Sequence, residues 1–512
     1  MIQQNDMFQK ITPEQAGISS DNVRRFILRL EEMGASTHQL IMMKDGKIFA
    51  EEYWAPFHKD FLHRMYSQTK SYVGIAIGLA LDDGFIRSLD DKIIEYFPEK
   101  LPAEGVNEHL SNLTIRQMLT MNTAGTSRLT WFVAGNPDRT NLYFCEEKNF
   151  HPSDCYYAYD SAASQVLCAL VEKLSGKKLI EYLRERVFKH LGTFEKAYIL
   201  ETPNGDSWGD SGLMCTLRDM ASLGQFCMQN GNWKGKQLIS EKYMSEATSC
   251  MVSNYDGFGS SYEGFGYGYQ IWRMADNGFA FVGMGDQITM CFPDKGLICA
   301  WTSNNQGTDM YRKMMVQAVY DLIERPMKNH PLRENKAAQK RYRTATKNLK
   351  LFAVKGREDS PFRERLNKTV YVCDENPMGI KKFWFTFRSA KSGCFHYVNG
   401  QGKKTIPFGV NKNVFGKFPQ LGYSNDRGAV RTTDGFMYDD AVSFAWTQEN
   451  QFVIRVQIID RYFGNLRMRF GFNGDDCAAV FSHAAEDFLQ EYSGEMVAHK
   501  KATVDDESIK ER

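Results

Sequence analysis

The sequence predicts an α+β protein in which a large domain of mixed helices and strands precedes a smaller antiparallel β domain. Two observations support this prediction. Strand-like and helix-like segments mix up to Met327, whereas apolar residues recur at every second position beyond Leu351. A chain of 512 residues is also long enough for two or three domains. We therefore divide the chain into a first domain, a linker, a β domain and a tail that we expect to be disordered, at residues 1–327, 328–350, 351–498 and 499–512.

The first domain contains four segments whose structure the pattern predicts. Apolar residues on both sides of Asp45-Gly46 predict a hairpin over residues 39–53, because Asp-Gly favours a tight turn. Residues 70–81 are apolar on almost every face, which predicts a buried helix. Two further segments are typical of a strand–turn–strand unit and of a closing helix, at residues 291–301 and 308–324.

The chain changes in character after the first domain. The polar, basic stretch 328–343 is typical of a linker or of a solvated connecting helix. Beyond it, the segments 383–387, 452–458 and 466–472 place apolar side chains at alternate positions. Such alternation over several strands predicts an antiparallel sheet with one face in water, either open or closed into a small barrel. We expect this β domain to have a structural role.

The charge balance gives no reason to expect a polyanionic partner. Lysine and arginine total 63 and aspartate and glutamate total 62, a formal net charge of +1. No uncharged apolar run approaches the roughly 18 residues that a membrane-spanning helix needs. We therefore expect neither a nucleic acid nor a membrane as partner. The oligomeric state stays open.

The cysteines and the N-terminal residues predict a cytoplasmic protein. The chain begins without an apolar stretch typical of a signal peptide. Its 11 cysteines, an odd number, form no C-x-x-C pair and lie scattered through the sequence, many of them in apolar runs, which is typical of a reducing compartment. The sequence has neither H-E-x-x-H nor a glycine-rich phosphate loop, so we expect no metal and no cofactor.

The main candidate for chemistry is Ser67 with Lys70, at the start of the predicted buried helix. A spacing of three places both side chains on one helix face, with Cβ atoms roughly 5–6 Å apart. A helix N-terminus also favours negative charge that develops on a hydroxyl oxygen. A free lysine amine is protonated at neutral pH, but burial against an apolar helix favours its neutral form. The pair therefore predicts an activated serine nucleophile.

The spacing alone is not specific. S-x-x-K arises about twice by chance in a chain of this length, and it recurs at Ser175 and Lys178. That second copy contains Gly176, which is typical of a helix end, and we assign it no catalytic role.

The context of Ser67 is more specific, because several segments match one family in the same order. The segment His-Arg-Met-Tyr-Ser-Gln-Thr-Lys ends at Lys70, and Tyr-Asp-Ser begins at Tyr159. The further matching segments are 88–92, 113–125, 170–176, 210–213, 216–221, 230–236 and 267–272. Together they resemble the serine β-lactamase and penicillin-binding-protein-like superfamily over about residues 10–325. The resemblance is to the class C-like and esterase branch, which includes 6-aminohexanoate-dimer hydrolases.

This resemblance implies a fold and a set of roles. The fold is an antiparallel sheet flanked by helices, together with an all-helical lobe. Ser67 would be the nucleophile and Lys70 the base that deprotonates it. Tyr159 would be the second general acid/base, which protonates the leaving group; without the family, a packing tyrosine is the simpler interpretation. Ser161 stands where the family more commonly has Asn, and it would donate a hydrogen bond to Lys70 or to the substrate.

The third element of the family, Lys/His-x-Gly on a strand, is altered here. Phe281 takes the position of the cation or imidazole, while Gly283 is retained. The resemblance implies that the backbone N–H groups of Ser67 and Met284 form an oxyanion hole. A group that meets a substrate carboxylate is missing, which puts β-lactam and D-Ala-D-Ala substrates in doubt.

We therefore predict a serine hydrolase of the esterase or amidase type that forms an acyl-enzyme with a small ester or amide. One alternative is a peptidase acting on D-amino-acid substrates, or an activity of the β-lactamase type. A second alternative is a non-catalytic sensor or scaffold that resembles penicillin-binding proteins. Aromatic side chains in loops either line an apolar acyl pocket or pack in the core; they are Phe57, Trp131, Phe132, Tyr143, Phe144, Phe258, Tyr262 and Phe265.

Overall fold

The computed structural model describes the chain in seven stretches, at residues 8–125, 136–145, 151–255, 264–307, 310–423, 436–486 and 488–503. Contacts between Cα atoms divide the chain into two units, with the boundary between Lys350 and Leu351.

The strands of the first unit are short except in one sheet. In chain order they are β1 (Thr37–Lys44), β2 (Lys47–Tyr53), β3 (His63–Arg64), β4 (Tyr198–Ile199), β5 (Leu213–Cys215), β6 (Asn232–Trp233), β7 (Lys236–Gln237), β8 (Trp272–Arg273), β9 (Phe279–Gly283), β10 (Gln287–Phe292) and β11 (Leu297–Ser303). Within the described residues, six of them form an antiparallel sheet in the order β2-β1-β11-β10-β9-β8. The sheet therefore joins the first strands of the unit to its last ones.

Helices cover both faces of this sheet. They are α1 (Ser20–Met33), α2 (Thr69–Asp82), α3 (Glu108–Ser111), α4 (Ile115–Leu119), α5 (Arg139–Cys145), α6 (Ser161–Ser175), α7 (Leu179–Leu183), α8 (Lys189–Leu191), α9 (Leu217–Met228), α10 (Glu241–Ala247), α11 (Met310–Val319) and α12 (Lys336–Thr346). Leu40 and Met42 of β1 face a core shared with α1 and α11, whereas Ile41 and Met43 face a core shared with α2, α6 and α9. Because both faces are covered, the central strands are buried along almost their whole length.

The predicted elements of the first unit are present. The hairpin turns at Asp45 and Gly46, whose φ values of 50° and 77° fit a tight turn with two left-handed residues. The buried helix is α2, and twelve of its fourteen residues are buried. An antiparallel sheet flanked by helices confirms the predicted fold class. The basic stretch contains α12, which packs on α1 through Ala338 and Tyr342.

The second unit is a closed sheet. It comprises α13 (Phe362–Leu366), β12 (Thr369–Cys373), β13 (Lys382–Ser389), β14 (Ser392–Asn399), β15 (Gly402–Val410), β16 (Val414–Lys417), β17 (Asp439–Gln448), β18 (Gln451–Ile459), β19 (Phe463–Asn473), β20 (Asp476–Ala485) and β21 (Gly494–Thr503). In the described part of the unit, nine strands form a ring in the order β15-β14-β13-β12-β21-β20-β19-β18-β17. The ring closes where Gly409 and Val410 pair in parallel with Ser443 and Phe444.

Aromatic side chains fill this barrel. The ring centroid of Phe385 lies 5.1 Å from those of Phe395 and Phe452 and 5.4 Å from that of Phe470. The interior is therefore a packed core, and of the two predicted alternatives, open or closed, the sheet is closed. The last strand continues to Thr503, five residues into the stretch that we expected to be disordered. Among the described residues, no helix has the length and apolarity needed to cross a bilayer.

Candidate active site

Ser67 lies in a short 3₁₀ turn, Tyr66–Gln68, that leads directly into α2. Within the fully described stretch 63–70, Ser67 is the one residue that is not buried. The side chain of Gln68 ties the turn to the sheet, because its Nε2 donates to the carbonyl of Phe281 and to Oγ1 of Thr289, both at 3.1 Å. The turn thus exposes one hydroxyl from an otherwise buried segment.

The backbone just before Ser67 is in an unusual conformation. Tyr66 has a φ of 49°, in the left-handed region that bulky residues rarely adopt. Its ring is buried, and the guanidinium carbon of Arg64 lies 4.3 Å from the ring centroid. The conformation persists because the surrounding contacts hold it, which is typical of a functional turn.

Lys70 points back at Ser67 from one turn along α2. Its Nζ donates to Oγ of Ser67 at 2.9 Å and to the main-chain carbonyl of Asp210 at 2.8 Å. The carboxylate oxygen Oδ2 of Asp210 lies 3.8 Å from the same nitrogen. Lys70 is only 1% exposed. The structure therefore places a water-excluded amine where it can exchange a proton with the hydroxyl.

The ring of Tyr159 lies beside the amine of Lys70. Its ring centroid lies 5.1 Å from Nζ of Lys70, and the ring stacks on Trp272 at 5.8 Å with an interplanar angle of 23°. The following residue, Asp160, caps α6 by accepting from the N–H of Ala163, and burial raises the pKa of its carboxyl to about 6. This cap fixes the loop that carries Tyr159.

Ser161, the first residue of α6, is half-buried. Among the hydrogen bonds of the described residues, none joins Ser161 to Lys70. The structure thus brings Ser67, Lys70 and Tyr159 together and leaves Ser161 beside them.

Strand β9 passes directly against the turn that carries Ser67. A Cβ atom added to Gly283 would lie 2.1 Å from the carbonyl oxygen of Met65 and 3.2 Å from the nitrogen of Gln68. Only glycine permits this approach. Met284 follows at the end of the strand and is half-buried. Phe281 is fully buried, with its ring 5.9 Å from that of Phe279. This position of β9 therefore offers no cation.

Asp210 was missed by the sequence analysis, although it lies within one of the matched segments. It is 140 residues from Lys70 along the chain, and its side chain is 6% exposed. The one available signal was an acidic residue among small ones before Leu213, which does not indicate a lysine partner.

The family model described as Beta-lactamase matches residues 26–322, more than half of the chain. The chain belongs to the beta-lactamase family. This result confirms the resemblance inferred from the sequence, and the family includes hydrolases related to esterases and amidases.

Three similar proteins are 15–25% identical to this chain. A 6-aminohexanoate-dimer hydrolase from Paenarthrobacter ureafaciens is 25% identical over 233 residues, which are 42% of this chain and 57% of that protein. The chain thus spans little more than half the length of this curated relative. A Bacillus anthracis structure with a provisional 6-aminohexanoate-dimer hydrolase name is 18% identical, with a TM-score of 0.50 over 62% of this chain and 87% of that one. A family VIII carboxylesterase is 15% identical, with a TM-score of 0.48 over 61% and 98%.

Four of the eight aromatic residues predicted near the cleft lie within the described residues, and they differ in exposure. Phe57, Tyr143 and Phe144 are buried, and Phe57 stacks on His38 at 3.9 Å. Their packing in the core is the alternative that the structure supports. Phe265 is 43% exposed. The remaining four lie outside the described residues, at Trp131, Phe132, Phe258 and Tyr262.

Proposed function

We propose that this member of the beta-lactamase family is a serine hydrolase that forms an acyl-enzyme on Ser67. The observation that carries the proposal is the 2.9 Å contact between the buried amine of Lys70 and the hydroxyl of Ser67. A nucleophilic serine requires a base within hydrogen-bond reach, and a buried amine meets this requirement.

The proposed reaction uses the groups around this contact. Lys70 takes the proton of Ser67 as Oγ attacks the substrate carbonyl. The N–H groups of Ser67 and Met284 stabilise the oxyanion, as is usual for acyl transfer. Tyr159 then protonates the leaving group, and water hydrolyses the acyl-enzyme by the reverse path. No metal or cofactor takes part in these steps.

The proposed substrates are small esters or amides without a carboxylate beside the scissile bond. Phe281 is buried and apolar where related enzymes hold a cation, so β9 provides no counter-charge for such a carboxylate. The similarity to a 6-aminohexanoate-dimer hydrolase supports hydrolysis of this kind. D-amino-acid peptidase or β-lactamase activity is the weaker alternative, because β9 provides no counter-charge for a substrate carboxylate.

The test compares wild type with Ser67→Ala on p-nitrophenyl acetate, a p-nitroanilide and nitrocefin. We expect ester turnover to fall by a factor of about 10³ or more in Ser67→Ala. Intact mass spectrometry of the wild type should show an acetyl group that the variant does not acquire. Ser175→Ala is the matched control, because Ser175 belongs to the second S-x-x-K. Equal turnover in wild type and Ser67→Ala would reject the assignment, and an unreactive wild type would favour the sensor alternative.

A further inference from the structure

The carboxyl group of Asp210 is buried beside the amine of Lys70. Its Oδ2 lies 3.8 Å from Nζ, and the side chains of the two residues are 6% and 2% exposed. The main-chain carbonyl of Asp210 also accepts a hydrogen bond from Nζ at 2.8 Å. Because water is largely excluded, opposite charges at this distance interact far more strongly than they would at the protein surface.

The segment that carries Asp210 is held firmly to the turn of Ser67. Strands β3 and β5 pair antiparallel, and the N–H of Met65 donates to the carbonyl of Leu213 at 2.8 Å. The N–H of Leu213 in turn donates to Oγ1 of Thr69 at 3.1 Å. Two hydrogen bonds therefore connect the chain on either side of Ser67 to the residue that lies three positions beyond Asp210.

A buried arginine holds the residue next to Asp210. Nε of Arg64 donates to the carbonyl of Ser211 at 3.1 Å, and a terminal nitrogen donates to its Oγ at 3.0 Å. The guanidinium carbon lies 4.3 Å from the ring centroids of both Tyr66 and Trp208. A planar cation stacked on two rings is an effective rigid support.

Helix α6 completes the support from another side. Gln165 donates through Nε2 to the carbonyl of Ser207 at 3.0 Å and accepts through Oε1 from the N–H of Gly209 at 2.9 Å. This bidentate contact fixes the backbone immediately before Asp210. Supports on three sides therefore hold the carboxylate of Asp210 beside the amine of Lys70.

We propose that Asp210 is a positioning residue for Lys70, which holds the amine at Ser67 and supplies the counter-charge for the ammonium that forms during acylation. This inference rests on the proposed function. As the Oγ–carbon bond forms, the O–H bond of Ser67 breaks, its proton binds to Nζ, and the carbonyl electron pair moves to the substrate oxygen. When that pair returns, the bond to the leaving group breaks and the proton passes through Tyr159 to the leaving group.

The first proton transfer leaves a buried ammonium on Lys70, which explains why a counter-charge is needed. An unpaired ammonium in a site without water is unfavourable, and a nearby carboxylate offsets that cost. In the described part of the chain, the side chains in contact with the Lys70 amine are Ser67 from the preceding turn, Tyr159 from the loop before α6, and Asp210. Asp210 is the acidic group among them.

The decisive variant is Asp210→Asn, which removes the charge and keeps the main-chain carbonyl. We expect kcat/KM for p-nitrophenyl acetate to fall about tenfold or more. We also expect the acid limb of its pH profile to move to lower pH, because an ammonium without its counter-charge releases its proton more readily. A purely structural role would lower the rate without moving the limb.

Two further variants make the experiment selective. Asp210→Glu keeps the charge and should return the acid limb toward its wild-type position, even if it restores only part of the rate. Asp206→Asn is the matched control, because that carboxylate accepts from Asn204 instead; it should change neither rate nor profile. Thermal melting of each variant reports on folding.

The outcomes separate this inference from the proposed function. If Ser67→Ala abolishes turnover while Asp210→Asn keeps the wild-type rate and profile, the role of Asp210 is overturned and the hydrolase proposal stands. If Ser67→Ala turns over the ester as wild type does, both fail. An Asp210→Glu variant that folds but shows the same shifted limb as Asp210→Asn would also overturn the role of the charge.

Discussion

Lys70 and Tyr66 are the residues at which the site departs most from ordinary local structure. Lysine is almost never fully buried unless it is paired, and the amine of Lys70 contacts Ser67 and Asp210. A left-handed φ at a residue such as Tyr66 costs about 1–3 kcal/mol. Contacts on both sides of the turn offset these costs. The geometry is therefore established before substrate binds, which is the condition for effective electrostatic catalysis.

The phenol of Tyr159 is the group proposed to protonate the leaving group. Tyr159→Phe should lower kcat/KM by about 10²-fold or more for an ethyl ester, because an alkoxide leaving group needs a proton. For the p-nitrophenyl ester of the same acid the loss should be much smaller, since p-nitrophenolate leaves without one. The ring still stacks on Trp272, so little stability should be lost. The measurement is the ratio of the two kcat/KM values.

Tyr156→Phe is the control for this ratio, since Tyr156 lies in the same loop and is 57% exposed. An equal loss on both esters in Tyr159→Phe would mean that the hydroxyl orients the site and does not protonate the leaving group.

At the scale of elements, α2 and β9 matter through how closely they approach their neighbours. Gly78 of α2 packs so tightly against Tyr243 that an added Cβ would lie 2.4 Å from the ring. Gly283 likewise allows β9 to approach the turn of Ser67 closely. The sequence predicted α2 because residues 70–81 are apolar on almost every face, which is a property of neighbouring residues. The close approach of β9 was implied only by the family pattern.

Gly283→Ala tests this approach. The new methyl group would meet the carbonyl of Met65, so either β9 or the turn must shift. Displacement of a reacting group by about 1 Å can cost 10²-fold in rate, and overpacking of this kind costs about 1–3 kcal/mol in unfolding free energy. We expect a loss of ester turnover of at least tenfold in a folded protein. Ester kinetics and urea unfolding measure the two effects.

Gly471→Ala is the control, because the nearest atom to its added Cβ is 3.7 Å away. Full activity in Gly283→Ala would show that the turn tolerates the shift and that β9 does not set the position of Ser67.

At the scale of the whole molecule, the two units differ in what holds them together. The first unit packs mainly aliphatic side chains on both faces of its sheet, whereas the second fills a barrel with aromatic rings. A buried acid also lies in the barrel wall. Burial, together with the adjacent charge of Asp439, raises the pKa of Asp440 from 3.8 to about 7.

This titration predicts how the stability of the second unit depends on pH. Between pH 4 and 7 the folded protein keeps the proton on Asp440 while the unfolded chain has lost it. The unfolding free energy should therefore decrease as pH rises through this range, by on the order of 1.4 kcal/mol per unit, and level off above pH 7. Asp440→Asn removes this contribution and should be the more stable protein at pH 8. Urea unfolding at pH 5 and pH 8 measures it.

Glu449→Gln is the matched control, because Glu449 is an exposed acid near the end of the same hairpin. If the unfolding free energy of Asp440→Asn depended on pH as that of the wild type does, the proposal of a buried, protonated Asp440 would be contradicted.

The sequence by itself determined the features that depend on neighbouring positions. The Asp45-Gly46 hairpin follows from its turn residues, and α2 follows from an almost unbroken apolar run. The alternation of the barrel strands and the pairing of Ser67 with Lys70 follow from periods of two and of 3.6 residues. The tertiary structure alone decided the closure of the barrel through β15 and β17, and the contact of Asp210 with Lys70. Both join positions that are far apart in the chain, and a single sequence carries no local pattern that records which distant groups meet.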